Sequence, residues 1–486
     1  MRNRFVVATL LACVALGRPA VAQIEAPLVS KVQLNLVNPG GKSLALGGAF
    51  VSLADDPTAA FANPAGLPQL PGLQFDVSGK YFAYEPRFQT QFWDLRPGQP
   101  ATPSFSEEYA PKDSTTDLDF FSVSYAFGDK VAVAAFRAVT LRYQLDTAKD
   151  NVGGTGDYRL FGFNFGTGAL TLDEAGAIDL SNEAYGVSAG FRFGRVSVGV
   201  GVTGNRLRFD LDPTGGRSSH LYVLNDTRAG AAGRTEVALS ADVTSDWRWG
   251  GEIGFRWEIE ERTRLTLGGV YRMAPEFDVD FATRYTGGIQ GAYSCAGGGG
   301  TTADARNCGK VDLPDDFSIG LSARPIAGLL LAADVQRVAY SSLTETFVPI
   351  FTYYGCTEAI PSSQCTSANA VGGRPTATAD DATIVRLGAE YRLSLGSSAL
   401  FFRGGWYREP AHGTEVSLVS PQTGASVDIQ TPPFSEAFRT AYDGGEAEDH
   451  YCFGLGVTLG RLLSIDLGAD LGDRNKYGSA SLVVQF

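Results

Sequence analysis

Two glycine-containing motifs in this chain match patterns found in enzyme sites. Residues 199–204 (Gly-Val-Gly-Val-Thr-Gly) fit the dinucleotide-binding pattern G-x-G-x-x-G, and residues 186–190 (Gly-Val-Ser-Ala-Gly) fit the G-x-S-x-G pattern of a nucleophilic serine. Both patterns require a strand that turns directly into a helix. Here each motif lies inside an alternating run with no helix after it, so neither predicts a site.

The histidines offer little support for catalysis. A hydrolase needs a nucleophile with a positioned base. Of the three histidines, His220 and His412 fall in predicted loops and His450 falls at the start of a predicted strand. None has a recognisable catalytic partner in the sequence. We therefore predict a protein that is not an enzyme and that binds no metal or cofactor, with a hydrolase as a weaker alternative.

Four of the six cysteines form two close pairs within predicted loops, Cys295 with Cys308 and Cys356 with Cys365. In an exported protein such spacing favours two local disulfides. A zinc site is the alternative, but neither pair is spaced like a ligand knuckle and the two loops contain no histidine. Cys452 falls on a predicted strand and is expected to be a free thiol.

Residues 1–22 predict a secretory signal. Arg2 and Arg4 precede an apolar run, and residues 20–22 (Ala-Val-Ala) form a cleavage site. A lipoprotein signal with Cys13 acylated is the competing interpretation.

The chain has 53 acidic and 40 basic residues, a formal net charge of −13. Such a surface repels phosphate backbones, so a nucleic-acid partner is not expected.

The chain beyond residue 72 alternates between two kinds of side chain. In residues 185–193 one face carries tyrosine, phenylalanine and valine, while the other carries Gly186, Ser188, Gly190 and Arg192. A soluble sandwich also alternates. Glycines and charges on one face suit a wet lumen, and the strands have about the 9–11 residues of a tilted membrane span. In lipid an open sheet edge leaves backbone groups unpaired. The prediction is an all-β fold, a transmembrane antiparallel β-barrel of about fourteen strands over residues 73–486.

The connections are expected to alternate between short and long. Residues 128–130 and 460–461 predict tight turns on the periplasmic side. Long loops rich in Gly, Ser, Thr and Pro are predicted outside the cell over residues 88–118, 144–183, 285–314, 347–381 and 410–449.

Residues 23–72 are predicted to form a small helical hatch inside the barrel. Asp56 can cap a short helix with Pro57 at its first position. Pro64 then forces Asn63 out of helical geometry. We expect a weakly tethered plug that shifts at modest cost. The alternative is an ordinary capped helix at the periplasmic face.

Several blocks of this sequence follow one another in a characteristic order: residues 47–50 through 63–67, 246–250, 254–257, 267–272, 313–321, 333–335, 385–391 and 403–406. Taken together, these blocks resemble the FadL/TodX family. The family consists of outer-membrane transporters of long-chain fatty acids and other hydrophobic compounds. The resemblance implies a fourteen-stranded barrel plugged by an N-terminal hatch. Substrate would enter from outside and leave sideways through a gap in the wall beside a kinked third strand.

The same resemblance implies a set of gating residues. They are Phe61, Asn63, Pro64, Ala65, Gly66 and Leu67. The third predicted strand, residues 131–143, would flank the wall gap. Its alternation points Arg137 at lipid, where it would cost about 2–4 kcal/mol at the bilayer middle. Either a bulge turns Arg137 inward or the side chain reaches an interface.

Four predicted inward arginines are candidates for binding a ligand carboxylate, since a guanidinium can form two parallel bonds to it. They are Arg192, Arg386, Arg392 and Arg403. The alternative is that they pair with lumen carboxylates such as Glu390.

The expected partners are hydrophobic small molecules, the lipid bilayer and lipopolysaccharide, and the barrel is expected to work as a monomer. A protein-docking barrel of a secretion system and a hydrophilic porin remain alternatives.

Overall fold

The computed structural model describes residues 37–84, 88–94, 102–109, 113–160, 163–211, 221–226, 233–286, 304–342, 374–411, 414–419, 426–427 and 447–486. Three short helical elements come first. They are α1 (Gly41–Ala45), α2 (Ala59–Ala62) and a 3₁₀ helix (Pro64–Gln69). Within the described residues, no helix is long and apolar enough to cross a bilayer.

Fourteen antiparallel strands of the described chain close into a ring. They are β1 (Leu73–Tyr84), β2 (Asp113–Phe127), β3 (Val131–Leu160), β4 (Phe163–Phe193), β5 (Val196–Leu211), β6 (Arg248–Glu260), β7 (Leu265–Met273), β8 (Asp316–Ile326), β9 (Leu329–Val338), β10 (Ala382–Leu395), β11 (Ser398–Glu409), β12 (Glu448–Leu459), β13 (Leu463–Leu471) and β14 (Asn475–Gln485). Each pairs with its neighbour in chain order, and β14 pairs back onto β1. The predicted barrel of about fourteen strands is confirmed.

Further strands extend from one end of the ring. Phe88–Asp94 pairs with Thr102–Tyr109, Leu221–Asp226 with Gly233–Thr244, and Glu276–Thr286 with Asp304–Asp312. Thr414–Val419 pairs with both Arg374–Ala379 and Ser426–Val427. The prediction of a loop over residues 144–183 is wrong, because β3 and β4 continue as one long paired hairpin through most of it.

The two faces of the wall differ as the alternation predicts. On β4, Gly186, Ser188 and Gly190 are buried, whereas the alternate residues Tyr185 and Val187 are exposed by 46% and 63%. Large apolar side chains stand outward in this way around the ring. An outward apolar face is what a membrane-spanning barrel presents to lipid.

Tight turns join strands at the opposite end from the long hairpins. Gly128, between β2 and β3, has φ 75°, and Gly460, between β12 and β13, has φ 62°. A side chain would be strained in this left-handed region, which explains glycine at both turns. Both turns are those predicted from sequence.

The N-terminal residues 37–72, here called the inner segment, lie inside the ring. Leu46, Phe50, Ala54, Leu67 and nearly all other residues up to Leu70 are buried. These side chains form one apolar cluster with Phe120, Phe136 and Leu330 of the wall. Fully burying one Leu or Phe side chain is worth about 1.5–3 kcal/mol, so this cluster is a substantial part of what holds the segment in the lumen.

Candidate functional site: the inner segment and the break in the wall

Glycines on the inner face of the wall make room for the inner segment. A Cβ on Gly199 would lie 2.3 Å from the backbone nitrogen of Ala65, and one on Gly190 would lie 2.4 Å from the carbonyl oxygen of Pro64. At these distances a side chain on either glycine would clash with backbone atoms of the inner segment, which cannot move aside as a flexible side chain can. One glycine in each motif that imitates an enzyme site therefore contacts the inner segment, whereas a Cβ on Gly186 would meet the Phe136 ring and one on Gly201 the Glu252 side chain.

Asn63 connects three parts of the structure. Its Nδ2 donates to the carbonyl oxygens of Val51 (2.9 Å) and Phe255 (3.1 Å), and its Oδ1 accepts from Ala65 N at 3.1 Å. Its backbone is extended (φ −167°, ψ 101°), so α2 ends there and the 3₁₀ helix begins at Pro64. This is the geometry predicted from Pro64.

The other predicted gating residues pack close to Asn63. Pro64 and Ala65 lie against the glycines of β4 and β5 described above. A Cβ on Gly66 would lie 2.3 Å from the Ala54 carbonyl oxygen, and Leu67 is fully buried in the apolar cluster. Phe61 makes an edge-to-face contact with Phe136 of β3, with ring centroids 5.9 Å apart.

Arg272 of β7 binds the end of α2. Its Nη2 donates to the carbonyl oxygens of Ala62 (2.8 Å) and Phe61 (3.2 Å), and its Nη1 donates to Asp316 at 2.9 Å. The guanidinium also lies 4.9 Å from the centroid of the Phe61 ring. These bonds satisfy carbonyls that a helix end leaves without partners.

Asp334 of β9 binds another part of the inner segment, at residues 50–51. One of its oxygens, Oδ2, accepts from the backbone nitrogens of Phe50 (2.7 Å) and Val51 (2.9 Å). The side chain is buried, and hydrogen bonds to an ionised group in such a site are stronger than neutral ones. The inner segment is thus bonded to the wall at several points.

The ladder between β2 and β3 ends early. Its pairs run only from Phe127 and Val131 to Phe120 and Ala138. Beyond this point β2 pairs only with β1, and β3 pairs only with β4 across a register shift between Val139 and Leu141. The described wall therefore has a break between β2 and β3. The stacked rings of Phe120 and Phe136 lie at its edge, next to Phe61.

Arg137 lies on the outer face beside this break. Its Nη2 donates to Glu183 Oε1 of β4 at 2.6 Å, and its Nη1 donates to the Leu118 carbonyl oxygen. The register shift in β3 falls after Arg137 and does not turn it inward. Pairing with Glu183 neutralises its charge at the wall surface.

No family model matches this chain, and no curated protein does. Solved structures do match. A FadL homologue from Pseudomonas aeruginosa aligns with TM-score 0.59 and 14% identity over 94% of this chain and 99% of its own. The P. putida toluene transporter TodX (TM-score 0.51, 13% identity) and the Ralstonia pickettii toluene transporter TbuX (0.50, 15%) each cover 93% of this chain and 99% of their own.

This chain has the FadL/TodX fold. Two of these three structures are described as toluene transporters and the third as a FadL homologue.

The four candidate carboxylate-binding arginines occupy different parts of the FadL/TodX barrel. Arg403 is buried between Glu390 (2.7 Å) and Asp466 (2.6 Å). Arg386 donates to Gln336 Oε1 at 2.9 Å and to the Gly47 carbonyl oxygen at 3.2 Å. Arg192 and Arg392 lie near the tight-turn ends of their strands, where Arg192 is partly exposed and Arg392 is exposed. The structure does not bring the four together.

Sequence reasoning missed Arg272 and Asp334 as site residues. Both lie in blocks that carry the family resemblance, but alternation shows only that they face inward. Which backbone groups they bind depends on where the inner segment lies in the FadL/TodX barrel.

The predicted disulfides have no support from the described residues. Cys295, Cys356 and Cys365 lie outside them, and for Cys308 only the strand backbone is described. Both pairings stay predictions. Cys452 is buried as a free thiol on β12.

The pKa values of two neighbouring carboxyls of the inner segment, Asp55 and Asp56, are shifted in opposite directions. Burial alone would raise the pKa of Asp55, but Lys42, 2.7 Å away, and Arg324 lower it to about 2. Burial raises the pKa of Asp56 to about 6, with Asp55 and Asp466 adding to the rise and Lys42 opposing it. Asp76 of β1 and Asp466 of β13 are the wall carboxylates that face this pair.

These shifts predict how attachment of the inner segment depends on pH. Between pH 3.8, the ordinary pKa of an aspartate, and about pH 6, Asp56 keeps its proton only while the inner segment is attached to the wall. The attachment of the inner segment therefore weakens as the pH rises through that range. Below 3.8 attachment weakens again as pH falls toward 2, because Asp55 loses its charge. Ion conductance across planar bilayers should therefore rise between pH 4 and 6. Asp56→Asn, which keeps the acceptor oxygen for Thr58, should flatten the rise, and an unchanged rise would contradict the assignment.

Proposed function

We propose that this protein is an outer-membrane channel for the uptake of long-chain fatty acids or other hydrophobic compounds. Residues 23–72 act as its hatch. Substrate diffuses passively into the lumen, the hatch shifts, and the molecule leaves sideways into the membrane. We place the chain in the bacterial outer membrane as a monomer, with its long hairpins among lipopolysaccharide.

One observation carries the proposal. Phe61 of the inner segment packs against Phe136 at the place where the ladder between β2 and β3 ends. An apolar molecule leaving there would pass the aromatic rings of Phe61, Phe120 and Phe136. A gap in a barrel wall otherwise exposes unpaired backbone groups to lipid, which is costly, so a break retained at this place favours a function for it.

The arrangement of the bonds also supports movement of the hatch near the break. Next to Phe61, Asn63 bonds to the wall and Arg272 of the wall bonds to the segment, while Asp334 of β9 and Arg386 of β10 bind the segment at residues 47–51. A shift confined to α2 and the 3₁₀ helix would open a path beside Phe136 and leave the bonds of Asp334 and Arg386 intact.

The test is uptake of labelled oleate and labelled toluene by cells lacking their own transporter of this type. We expect the wild-type protein to restore uptake of at least one of them. Asn63→Ala combined with Pro64→Ala should abolish that uptake, because it removes the bonds and the backbone restriction that shape the hatch beside the break. Pro71→Ala, at an exposed proline of the same segment, is the matched control and should leave uptake unchanged.

Equal amounts of folded barrel must be confirmed by heat-modifiable migration. Failure of well-folded wild-type protein to restore uptake of either compound would reject the proposal. Copurification of secreted proteins would then favour the docking role, and a large open ion conductance would favour a hydrophilic porin.

A further inference from the structure

The outer face of β5 changes from apolar to basic along the strand. Its outward side chains are exposed valines at positions 196, 198, 200 and 202, followed by Gly204 and then by the exposed Arg206 and Arg208. Arg206 comes ten residues after Val196, where β5 begins beyond a tight turn. A rise of about 3.3 Å per residue and a tilt of about 40° place it about 25 Å above that turn, which is the height of the apolar band of such barrels. Arg206 therefore lies at the border of the membrane, on the side of the long hairpins.

Two tryptophans reach over Gly204 at the same border. Trp249 pairs with Gly204 in the ladder between β5 and β6, and Trp247 directly precedes β6. A Cβ on Gly204 would lie 3.3 Å from Cε3 of Trp247 and 3.9 Å from Cζ3 of Trp249. The two tryptophans are 51% and 72% exposed. Exposed tryptophans at one level of a barrel are typical of the interface between lipid tails and headgroups.

Arg206 is positioned by one of these rings. Its guanidinium carbon lies 6.0 Å from the centroid of the Trp247 ring, which is a cation–π contact. Glu183 lies opposite Arg206 in the ladder between β4 and β5, but this carboxylate accepts from Arg137 Nη2 at 2.6 Å and from the Tyr185 hydroxyl at 2.9 Å. Among the residues that the structure describes, no carboxylate forms an ion pair with Arg206. The border therefore carries an exposed, positioned cation whose charge is not neutralised by the described wall.

This combination of groups suits a lipid with acyl chains and a phosphorylated headgroup. A guanidinium binds phosphate through two parallel hydrogen bonds, and indole N–H groups donate at the level of the headgroups. The valines of β5 below Gly204 form an apolar track for the acyl chains. A neutral lipid would cover this track and leave the arginine without an anion. Since the surface lies on the side of the long hairpins, the lipid layer that it meets is the outer leaflet, where lipopolysaccharide carries the phosphates.

We propose that the surface formed by Gly204, Arg206, Trp247 and Trp249, here called the border site, binds a phosphate group of lipopolysaccharide. This inference goes beyond transport and rests on the placement of the chain in the outer membrane under the proposed function. Arg206 binds the phosphate, Trp247 holds the guanidinium in place, and the acyl chains lie along the valines of β5. One exposed carboxylate, Asp246, directly precedes Trp247 and opposes an anion at this site.

The test compares three lipids: lipid A with its phosphates, the same lipid A with the phosphates removed, and phosphatidylglycerol. Binding of each lipid to the full chain is measured by thermophoresis in a non-ionic detergent. We expect lipid A to bind about tenfold more tightly than its dephosphorylated form, the effect of one hydrogen-bonded charge pair, and more tightly than phosphatidylglycerol. Added salt should weaken the binding of lipid A and leave that of the dephosphorylated form unchanged.

Three variants test the assigned side chains. Arg206→Gln should remove most of the preference for the phosphorylated form and its salt dependence, while the dephosphorylated lipid binds as before. Trp247→Leu should weaken the binding of lipid A several-fold, because the guanidinium loses the ring that positions it, and Asp246→Asn should tighten it. Arg461→Gln is the matched control, since it makes the same change as the first variant on an exposed arginine in the tight turn between β12 and β13, and it should leave the preference unchanged.

The outcomes separate this inference from the proposed transport. Equal affinity for the two forms of lipid A, an unchanged preference in Arg206→Gln, or equal affinity for phosphatidylglycerol would overturn the border site. Uptake of oleate or toluene by a protein without the phosphate preference would leave transport standing. The phosphate preference in a protein that restores uptake of neither compound would support the border site and reject transport.

Discussion

Asp334→Ala is expected to raise the ion conductance of the barrel by at least tenfold. The Asp334 carboxylate accepts two backbone hydrogen bonds from the inner segment, at 2.7 and 2.9 Å. Bonds to charged groups are each worth about 1.5–3 kcal/mol, and about 1.4 kcal/mol corresponds to a tenfold change in an equilibrium. Relief from burying a carboxylate offsets part of this loss. The displaced state of the segment should nevertheless become much more populated.

Single-channel recordings in planar bilayers would measure the open fraction directly. Asp334→Asn is the matched control, because one amide oxygen can accept both bonds that Oδ2 accepts now. Wild-type conductance in Asp334→Ala, with a correctly folded barrel, would mean that packing alone retains the segment.

Gly199→Ala is expected to displace the inner segment by adding one methyl group to the wall. The new Cβ would lie 2.3 Å from Ala65 N and from the Pro64 carbonyl carbon. Overpacking of this kind costs about 1–3 kcal/mol. Because the neighbouring atoms are backbone, the segment must move as a unit, and we expect about a tenfold rise in conductance together with new cleavage of the segment by added protease.

Gly404→Ala on β11 is the control for this change. A Cβ there would meet nothing nearer than the Cys452 carbonyl oxygen at 4.0 Å. Both variants should migrate as folded, heat-modifiable barrels. Equal conductance and equal protease resistance in the two variants would show that the fit between Gly199 and the segment does not retain it.

The wall of this barrel could be predicted from the sequence because the alternation of side chains along a strand depends only on neighbouring residues. A strand with one face on lipid and one on the lumen must alternate every second residue, so residues such as Gly186 and Val187 show their faces directly. The bend at Asn63 was equally predictable, since Pro64 restricts the residue before it. The length of the hairpin formed by β3 and β4 was not, because alternation weakens beyond the membrane.

The candidate site was only partly predictable. Alternation placed Arg386 and Arg403 inward, but it could not show that Arg403 pairs with Glu390 and Asp466 or that Asp334 binds Phe50 and Val51. These partners lie far away in sequence and meet only when the ring closes around the inner segment. Arg137 likewise faces outward as its position predicts, yet its partner Glu183 depends on the register between β3 and β4.

The sequence by itself determined an alternating barrel with an apolar, proline-bounded N-terminal segment, because strand period and proline geometry are properties of adjacent residues. The tertiary structure alone decided where the ladder between β2 and β3 ends and which glycines contact Pro64 and Ala65. Those features depend on the packing of a separate segment against closed strands. No pattern among neighbouring residues predicts that packing, because hydrogen bonds and steric contacts between residues far apart in sequence form only in the folded chain.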